Sequence, residues 1–145
     1  MSNRLTPDTL MAKAYSLCST ARLVLDHGDT DSAVNRAYYA MFHAARAALL
    51  LSGVSNTRTH SGLIRMFGLH LIENGTLASE FGEALSRAHE TRLMADYKDT
   101  AIKPAAAKVI VEQAEHFVAT IKSLLLDKQP EPTKQEPSGS SFDPF

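Results

Sequence analysis

The stretch NRAYYAMFHAARAALLLSG, residues 35–53, predicts the central helix of the protein. Alanine, leucine and other apolar residues cover most of its circumference, so neighbouring helices or a second copy of the chain must bury it. Arg36, Tyr38, Tyr39 and His43 interrupt this apolar run. These four side chains either act on a ligand or are polar groups that find partners inside a helical bundle.

The composition fits one globular domain. The chain has 145 residues, of which 44% are apolar and 21% are charged, and this length can bury a proper core. The formal net charge of -1 argues against broad electrostatic attachment to nucleic acid, although a few local cations could still form a small RNA site. The single cysteine, Cys18, excludes an internal disulfide and a multi-cysteine metal site, and its apolar neighbours predict a small buried hydrophobe.

The sequence also predicts where the protein resides. No window approaches the roughly 18 consecutive apolar residues that a membrane span requires. The N-terminal segment MSNRLTPDTL lacks the apolar core of a signal peptide. We therefore expect a cytoplasmic protein without membrane association.

Apolar periodicity predicts five helices and no strand. Capping residues, glycines and prolines place the helices at about Pro7–His27, from Asp29 or Asp31 to Ser52, at His60–Asn74, Leu77–Tyr97 and Pro104–Asp127. Short connections favour antiparallel neighbours, so we predict an all-α, up-and-down bundle of four main helices plus one. The central helix has more apolar circumference than such a monomer needs to bury, and this predicts a homodimer.

The composition changes abruptly at Lys128. Residues 128–145 are rich in Pro, Glu, Lys, Ser and Gly, and this composition predicts a disordered tail after a single helical domain at residues 1–127. The tail ends in the sequence FDPF. These aromatic residues form either a frayed end or a short peptide that docks on a partner.

One face of the central helix carries a row of polar residues. Arg36 and His43 are seven residues apart, which places them within about 20° of each other and roughly 10 Å apart along the axis. Tyr39 lies between them, and Arg46 continues the row. An unpaired buried guanidinium is costly, so we expect Arg36 to pair with an acid, Asp96 being the first choice. In that structural interpretation, His43 is a packed, hydrogen-bonded core residue.

Three segments together resemble the HEPN domain of prokaryotes. They are SAVNRAYYAMFHAARAALL, THSGLIRMFG and ETRLMADY, and the resemblance extends over roughly residues 8–126. It implies an all-α bundle that often dimerises and that is frequently paired with a minimal nucleotidyltransferase, commonly as toxin and antitoxin. It also implies, for many members, a metal-independent ribonuclease whose active site reads Arg, four to six residues, His. The resemblance implies no cofactor.

Two segments compete for the role of the HEPN site. Arg36 and His43 enclose six residues, which satisfies the pattern. In toxin members, however, the motif usually lies in a late helix as Arg, four residues, His, one residue and Tyr. Here Arg92 is followed by Tyr97 at the histidine position and by Asp99 at the tyrosine position, so the late segment lacks its general base. The resemblance to modified toxin members implies that Tyr97 could instead accept a group from the nucleotidyltransferase.

Two functional hypotheses follow. In the first, the protein acts by binding a partner or a nucleotide, through Tyr39, Arg46, Arg92, Asp96 and Tyr97. In the second, it cleaves RNA without a metal, with His43 as the base and Arg36 as the phosphate-binding cation. A neutral net charge and the altered late motif favour the first hypothesis.

The remaining histidines are weaker candidates. His60 is expected to cap the third helix or to hydrogen-bond near its start. His70 and His89 have no second ligand one helical turn away, so the sequence predicts no metal site. Ser61 follows His60, but neighbours on a helix point apart, and this disfavours a hydrolase triad.

Overall fold

The computed structural model describes residues 5–55 and 57–128. Its α-helices are α1 (Pro7–Asp26), α2 (Thr30–Leu51), α3 (His60–Phe67), α4 (Ser79–Lys98) and α5 (Pro104–Lys128), and a π-helical turn, Gly68–Ile72, follows α3. The described residues contain no strand, which confirms the all-α prediction. Helix α5 includes Lys128, and the rest of the predicted tail, with its FDPF end, lies outside the described residues.

Local signals fix the helix ends close to their predicted positions. The Thr6 hydroxyl accepts a hydrogen bond from the Thr9 amide (3.1 Å) at the start of α1, with Pro7 in the first turn. The Asp29 carboxylate accepts from the Ser32 amide (3.2 Å) at the start of α2. Each cap satisfies an amide that has no partner within its own helix.

The third helix differs from its prediction. It was expected to continue to Asn74, but regular α-helix ends at Phe67 and a π-helical turn follows. The Glu73 amide donates to the Gly68 carbonyl (2.9 Å), which widens the helix by one residue there. At the start of α3, a Cβ on Gly62 would lie 2.6 Å from the Thr59 hydroxyl oxygen, so the glycine leaves room for the capping side chain.

Helix α2 is the centre of the bundle. It packs most extensively against α1 and also contacts α5, α4 and α3. Its buried side chains are mainly alanines, with Val34, Tyr38, Met41, Phe42 and Leu49. The apolar circumference that suggested a homodimer is therefore covered within one chain, which removes the original reason for that prediction. The homodimer itself stays a prediction.

Within the described part of the chain, no helix has both the length and the apolar character that crossing a bilayer requires. The cytoplasmic location stays a prediction.

Candidate functional site

A hydrogen bond between α2 and α3 organises the most polar region of the core. Tyr38 is fully buried, and its hydroxyl lies 2.6 Å from Nδ1 of His60. Its ring is surrounded by the rings of Tyr39, Phe42, His60 and His89 at centroid distances of 5.2–6.0 Å. His60 was expected to cap α3, but the Thr59 hydroxyl performs that role by accepting from the Gly62 amide (2.9 Å). The His60 ring is therefore available to hydrogen-bond with the Tyr38 hydroxyl.

Helix α4 contributes His89 and Arg92 to this region. The His89 ring is stacked on His60, with centroids 5.5 Å apart and planes 12° apart. One turn later, the Arg92 guanidinium carbon lies 5.1 Å from the centroid of Tyr38 and 5.5 Å from that of Tyr39. Both distances are within the range of cation–π attraction. We call Tyr38, Tyr39, His60, His89 and Arg92 the Tyr38 cluster.

The environment of the cluster keeps the side chains of Tyr38, His60 and His89 uncharged at neutral pH. Burial, followed by the charge of Arg92, lowers the pKa of both His60 and His89, and His89 further lowers the pKa of His60. Glu90 partly opposes the shift at His89. Burial also raises the pKa of Tyr38, against the opposing effect of Arg92. At neutral pH the cluster therefore combines one permanent cation with uncharged rings.

Arg92 also lines an open cleft between α2 and α4, which we call the arginine cleft. Its volume is about 280 Å³, and it is lined by Asp31, Ser32, Asn35, Arg36, Arg92, Ala95, Asp96 and Ile102. The Asp31 carboxylate accepts from the Ile102 amide (2.9 Å) and so ties the α4–α5 connection to this rim. The cleft brings two guanidinium groups, the carboxylates of Asp31 and Asp96, and two uncharged polar side chains, Ser32 and Asn35, to one surface.

The expected ion pair between Arg36 and Asp96 is wrong. Both residues line the arginine cleft, but among residues 5–55 and 57–128 no ion pair joins them. Arg36 is exposed, and its Nη1 donates to the Asn35 side-chain oxygen (3.0 Å). The prediction assumed a buried guanidinium, whereas this guanidinium is hydrated and needs no acid.

His43 belongs to a different environment from Arg36. It is half-buried and neighbours the rings of Tyr39 and Phe42 at 6.4 and 5.6 Å. Burial, then the charges of Lys13 and Arg46, lower its pKa. Its Nδ1 is buried without a hydrogen-bond partner in the described structure, so the expected hydrogen-bonded core histidine is not what the structure shows. Arg36 lines the arginine cleft, whereas the charges that act on His43 come from Lys13 and Arg46. A spacing of seven residues along α2 therefore does not bring Arg36 and His43 together at one site.

The other predicted site residues divide between two surfaces. Tyr39 joins the Tyr38 cluster to His43, since its ring neighbours both His60 (5.7 Å) and His43 (6.4 Å). Arg46 lies beside His43. Tyr97 is 86% exposed, and with Leu93 and Met94 it forms an exposed apolar strip near the end of α4.

Sequence reasoning missed the central role of His60 and His89. They are 29 positions apart, and nothing local in the sequence indicates that their rings stack. A search among the described residues finds no group of three or more His, Cys, Asp or Glu side chains that could hold a metal ion. The arrangement of uncharged imidazoles beside a guanidinium suits an anion better than a cation.

The geometry defines an all-helical bundle with a polar, arginine-containing cleft between its second and fourth helices and an aromatic cluster beside it. The sequence model of the HEPN domain matches residues 8–124. The protein therefore belongs to the HEPN domain family.

Relatives support this assignment along most of the chain. A Methanocaldococcus jannaschii protein named "Putative toxin MJ0605" is 36% identical over 107 residues, covering 74% of this chain and 79% of the relative. A Gloeobacter violaceus UPF0332 protein is 36% identical over 118 residues, covering 79% and 93%. A Pyrococcus horikoshii UPF0332 protein is 46% identical over 70 residues, covering 48% and 49%.

Removal of the Tyr38 hydroxyl tests the central hydrogen bond. We expect Tyr38→Phe to lower the free energy of unfolding by about 1 kcal/mol, because the ring stays packed while His60 loses its partner. Tyr97→Phe is the matched control, and its exposed ring should leave stability unchanged within about 0.5 kcal/mol. Urea denaturation measures both variants, and equal stabilities of the two would contradict the assigned role.

Stability should fall as the solution becomes more acidic between pH 7.5 and 5.5. The pKa values of His43, His60 and His89 are all lowered in the folded protein, so the unfolded chain binds more protons in this range. Each such proton lowers the free energy of unfolding by at most about 1.4 kcal/mol per pH unit. Urea midpoints at pH 7.5, 6.5 and 5.5 give the slope.

The control for this titration is the exposed His70. His70→Gln should keep the pH dependence of the wild type, whereas His89→Gln should reduce it. A wild-type midpoint that stays constant or rises on acidification is incompatible with the lowered pKa values.

Proposed function

We propose that this protein is the toxin-like HEPN component of a two-protein module, and that it acts by binding a phosphate-bearing ligand and a protein partner. The name of the Methanocaldococcus relative supports the toxin-like assignment. The resemblance to HEPN proteins supports a small nucleotidyltransferase as the partner. Location in the cytoplasm, where such a partner would be made, fits the same proposal.

The observation that carries the proposal is the arginine cleft. Arg36 and Arg92 line the same opening, and in the described part of the chain neither is engaged in an ion pair. Planar guanidinium groups bind phosphate oxygens through paired hydrogen bonds. Ser32 and Asn35 on the same rim offer groups that can hydrogen-bond a sugar or a base. A nucleotide, free or within RNA, therefore suits the cleft.

The end of α4 supports the second part of the proposal. Leu93 and Met94 are 38% and 49% exposed, and Tyr97 extends the same surface. Exposed apolar side chains that adjoin a polar cleft are typical of protein contacts. A nucleotidyltransferase seated on this strip would reach both the Tyr97 hydroxyl and the arginine cleft, and a second copy of the chain could use the same strip.

Binding of adenosine monophosphate tests the cleft directly. Arg36→Gln and Arg92→Gln should each weaken binding about tenfold or more, because each removes a charge-assisted hydrogen bond worth about 1.5–3 kcal/mol. Arg87→Gln is the matched control, since Arg87 is an exposed arginine on α4 that lies outside the cleft. Isothermal titration calorimetry measures the three affinities.

The same variants link the cleft to a cellular effect. Expression of the wild type should slow growth, co-expression of a small nucleotidyltransferase from the neighbouring gene should relieve the effect, and Arg92→Gln should remove it. Undiminished nucleotide affinity in both cleft variants would contradict the proposal.

Metal-independent RNA cleavage is the second candidate function. Its support is the environment of His43, where Lys13 and Arg46 flank a neutral imidazole. A neutral imidazole can accept a 2'-hydroxyl proton, and adjacent cations can stabilise the developing phosphate charge. The structure does not bring Arg36 to this imidazole, so Arg46 would replace it in any such site.

An RNA degradation assay in the presence of a metal chelator separates the two candidates. If the protein is a ribonuclease of this kind, His43→Ala should reduce cleavage at least about a hundredfold, in the range expected for loss of a general base. Tyr97→Phe should keep full cleavage. We expect no cleavage by the wild type, because the partner-binding proposal requires none. Robust cleavage that is lost only in His43→Ala would favour the ribonuclease over the binding protein.

A further inference from the structure

The Tyr38 cluster contains polar atoms that lack hydrogen-bond partners. His89 Nδ1 and Arg92 Nε are both buried, and neither makes a hydrogen bond in the described structure. Nearly all buried polar atoms in folded proteins have a partner, so an exception calls for an explanation. The two atoms belong to neighbouring turns of α4, beside an open cleft. One bound group that hydrogen-bonds to both atoms would supply the partner that each of them lacks.

The Tyr38 cluster contains one cation, Arg92, although the carboxylates of Asp31 and Asp96 line the arginine cleft beside it. Arg92 contributes a permanent positive charge, and no ion pair engages it within residues 5–55 and 57–128. The other groups that face the two imidazoles are the uncharged Tyr38 and Tyr39 from α2, together with Arg65 and Glu90, which line a hollow beside His89. Glu90 is exposed and only weakly opposes the effect of Arg92.

We propose that Arg92, His60 and His89 form a proton-linked anion site, in which the binding of a phosphate group is coupled to the uptake of one proton from solution by the imidazole pair. This inference rests on the proposed binding of a phosphate-bearing ligand at the arginine cleft. Arg92 lines that cleft and also lies one turn from His89. The charge of Arg92 acts on both imidazoles, so a phosphate held by this guanidinium changes the electrostatic environment of His60 and His89.

The hydrogen bond to Tyr38 determines how His60 would respond. Once protonated, His60 donates from Nδ1 to the Tyr38 oxygen, which lies 2.6 Å away, and its Nε2 proton remains for the ligand. Because the rings of His60 and His89 are stacked at 5.5 Å, two positive charges there would repel each other. The pair therefore takes up one proton for each phosphate bound.

Proton uptake makes affinity depend on pH. The lowered pKa values of His60 and His89 leave both imidazoles uncharged in the free protein at neutral pH, and a nearby anion raises them. Affinity then increases as the pH falls, by up to about tenfold per pH unit for one linked proton. Without the imidazole pair, this increase disappears while the contribution of Arg92 remains.

The phosphate could come from a nucleotide end or from an RNA backbone, and pH distinguishes these sources. A phosphomonoester has a second pKa near 6, so it loses charge as the solution is acidified below that value. A phosphodiester keeps a single charge throughout. Affinity for adenosine monophosphate should thus level off near pH 6, whereas affinity for a short oligoribonucleotide without terminal phosphates should continue to increase to about pH 5.5.

The experiment measures both affinities by calorimetry from pH 7.5 to 5.5 for the wild type, His60→Gln, His89→Gln and the double variant. His70→Gln is the matched control, since it replaces an exposed histidine outside the cluster. We expect the wild type and the control to bind the oligoribonucleotide at least fivefold more tightly at pH 6.0 than at pH 7.5, and the double variant to bind it equally at both. Circular dichroism establishes that each variant is folded.

Nuclear magnetic resonance titration of the wild-type imidazoles gives a readout that needs no variant. Saturation with the ligand that binds should raise the pKa of His60 or His89. Binding with unchanged imidazole pKa values, or with the same pH dependence in the double variant, overturns the proton-linked site while leaving the arginine cleft intact. Failure of the wild type to bind either probe at any pH overturns the proposed phosphate-binding function, and this inference with it.

Discussion

The hydroxyl of Tyr38 is the constraint on which the polar half of this bundle depends. It lies at full burial inside an alanine-rich helix, where an unpaired hydroxyl would cost about 1–3 kcal/mol. His60 can satisfy it only because Thr59, and not His60, caps α3. The glycine at position 62 leaves room for this cap, since a Cβ there would lie 2.6 Å from the Thr59 hydroxyl oxygen. A short chain of local requirements thus fixes where α3 begins and which ring meets Tyr38.

The arrangement of helices could be read from the sequence because its determinants are local. Thr6 and Asp29 are the predicted kinds of N-cap residue, and Gly28 and Gly53 adopt positive φ values of 87° and 88° where helices were predicted to stop. The π-helical turn after Phe67 was not predicted, because it has no comparable signature. The sequence correctly indicated that most of the circumference of α2 is buried, but it did not determine whether the other helices or a second chain buries it. Periodicity shows that a face is apolar, and only tertiary packing determines whether another helix or another chain lies against it.

The candidate site could be predicted only in part, for a related reason. Helical spacing placed Tyr39 in a polar row, the HEPN resemblance indicated Arg92, and Asp96 was chosen as an acid for Arg36. The structure places Arg92 and Asp96 in the cleft lining and Tyr39 against Arg92. The pairing of Arg36 with Asp96 failed, because spacing does not reveal whether a guanidinium is buried. His60 and His89 were underestimated, since their relation depends on how α3 and α4 cross. Contacts between distant elements are decided by side-chain packing, which a single sequence does not display.

Two arginines of this bundle show what separates a structural cation from a binding one. Arg22 on α1 is held by Glu115 on α5 through two hydrogen bonds, from Nε to Oε2 (3.0 Å) and from Nη2 to Oε1 (2.7 Å). Arg92 receives no such acid among the described residues and instead lies against the faces of Tyr38 and Tyr39. Aromatic faces hold a guanidinium in place without consuming its hydrogen-bond donors. A carboxylate would neutralise the charge and occupy those donors. The fold thus places Arg92 against aromatic rings and leaves its charge available to an incoming anion.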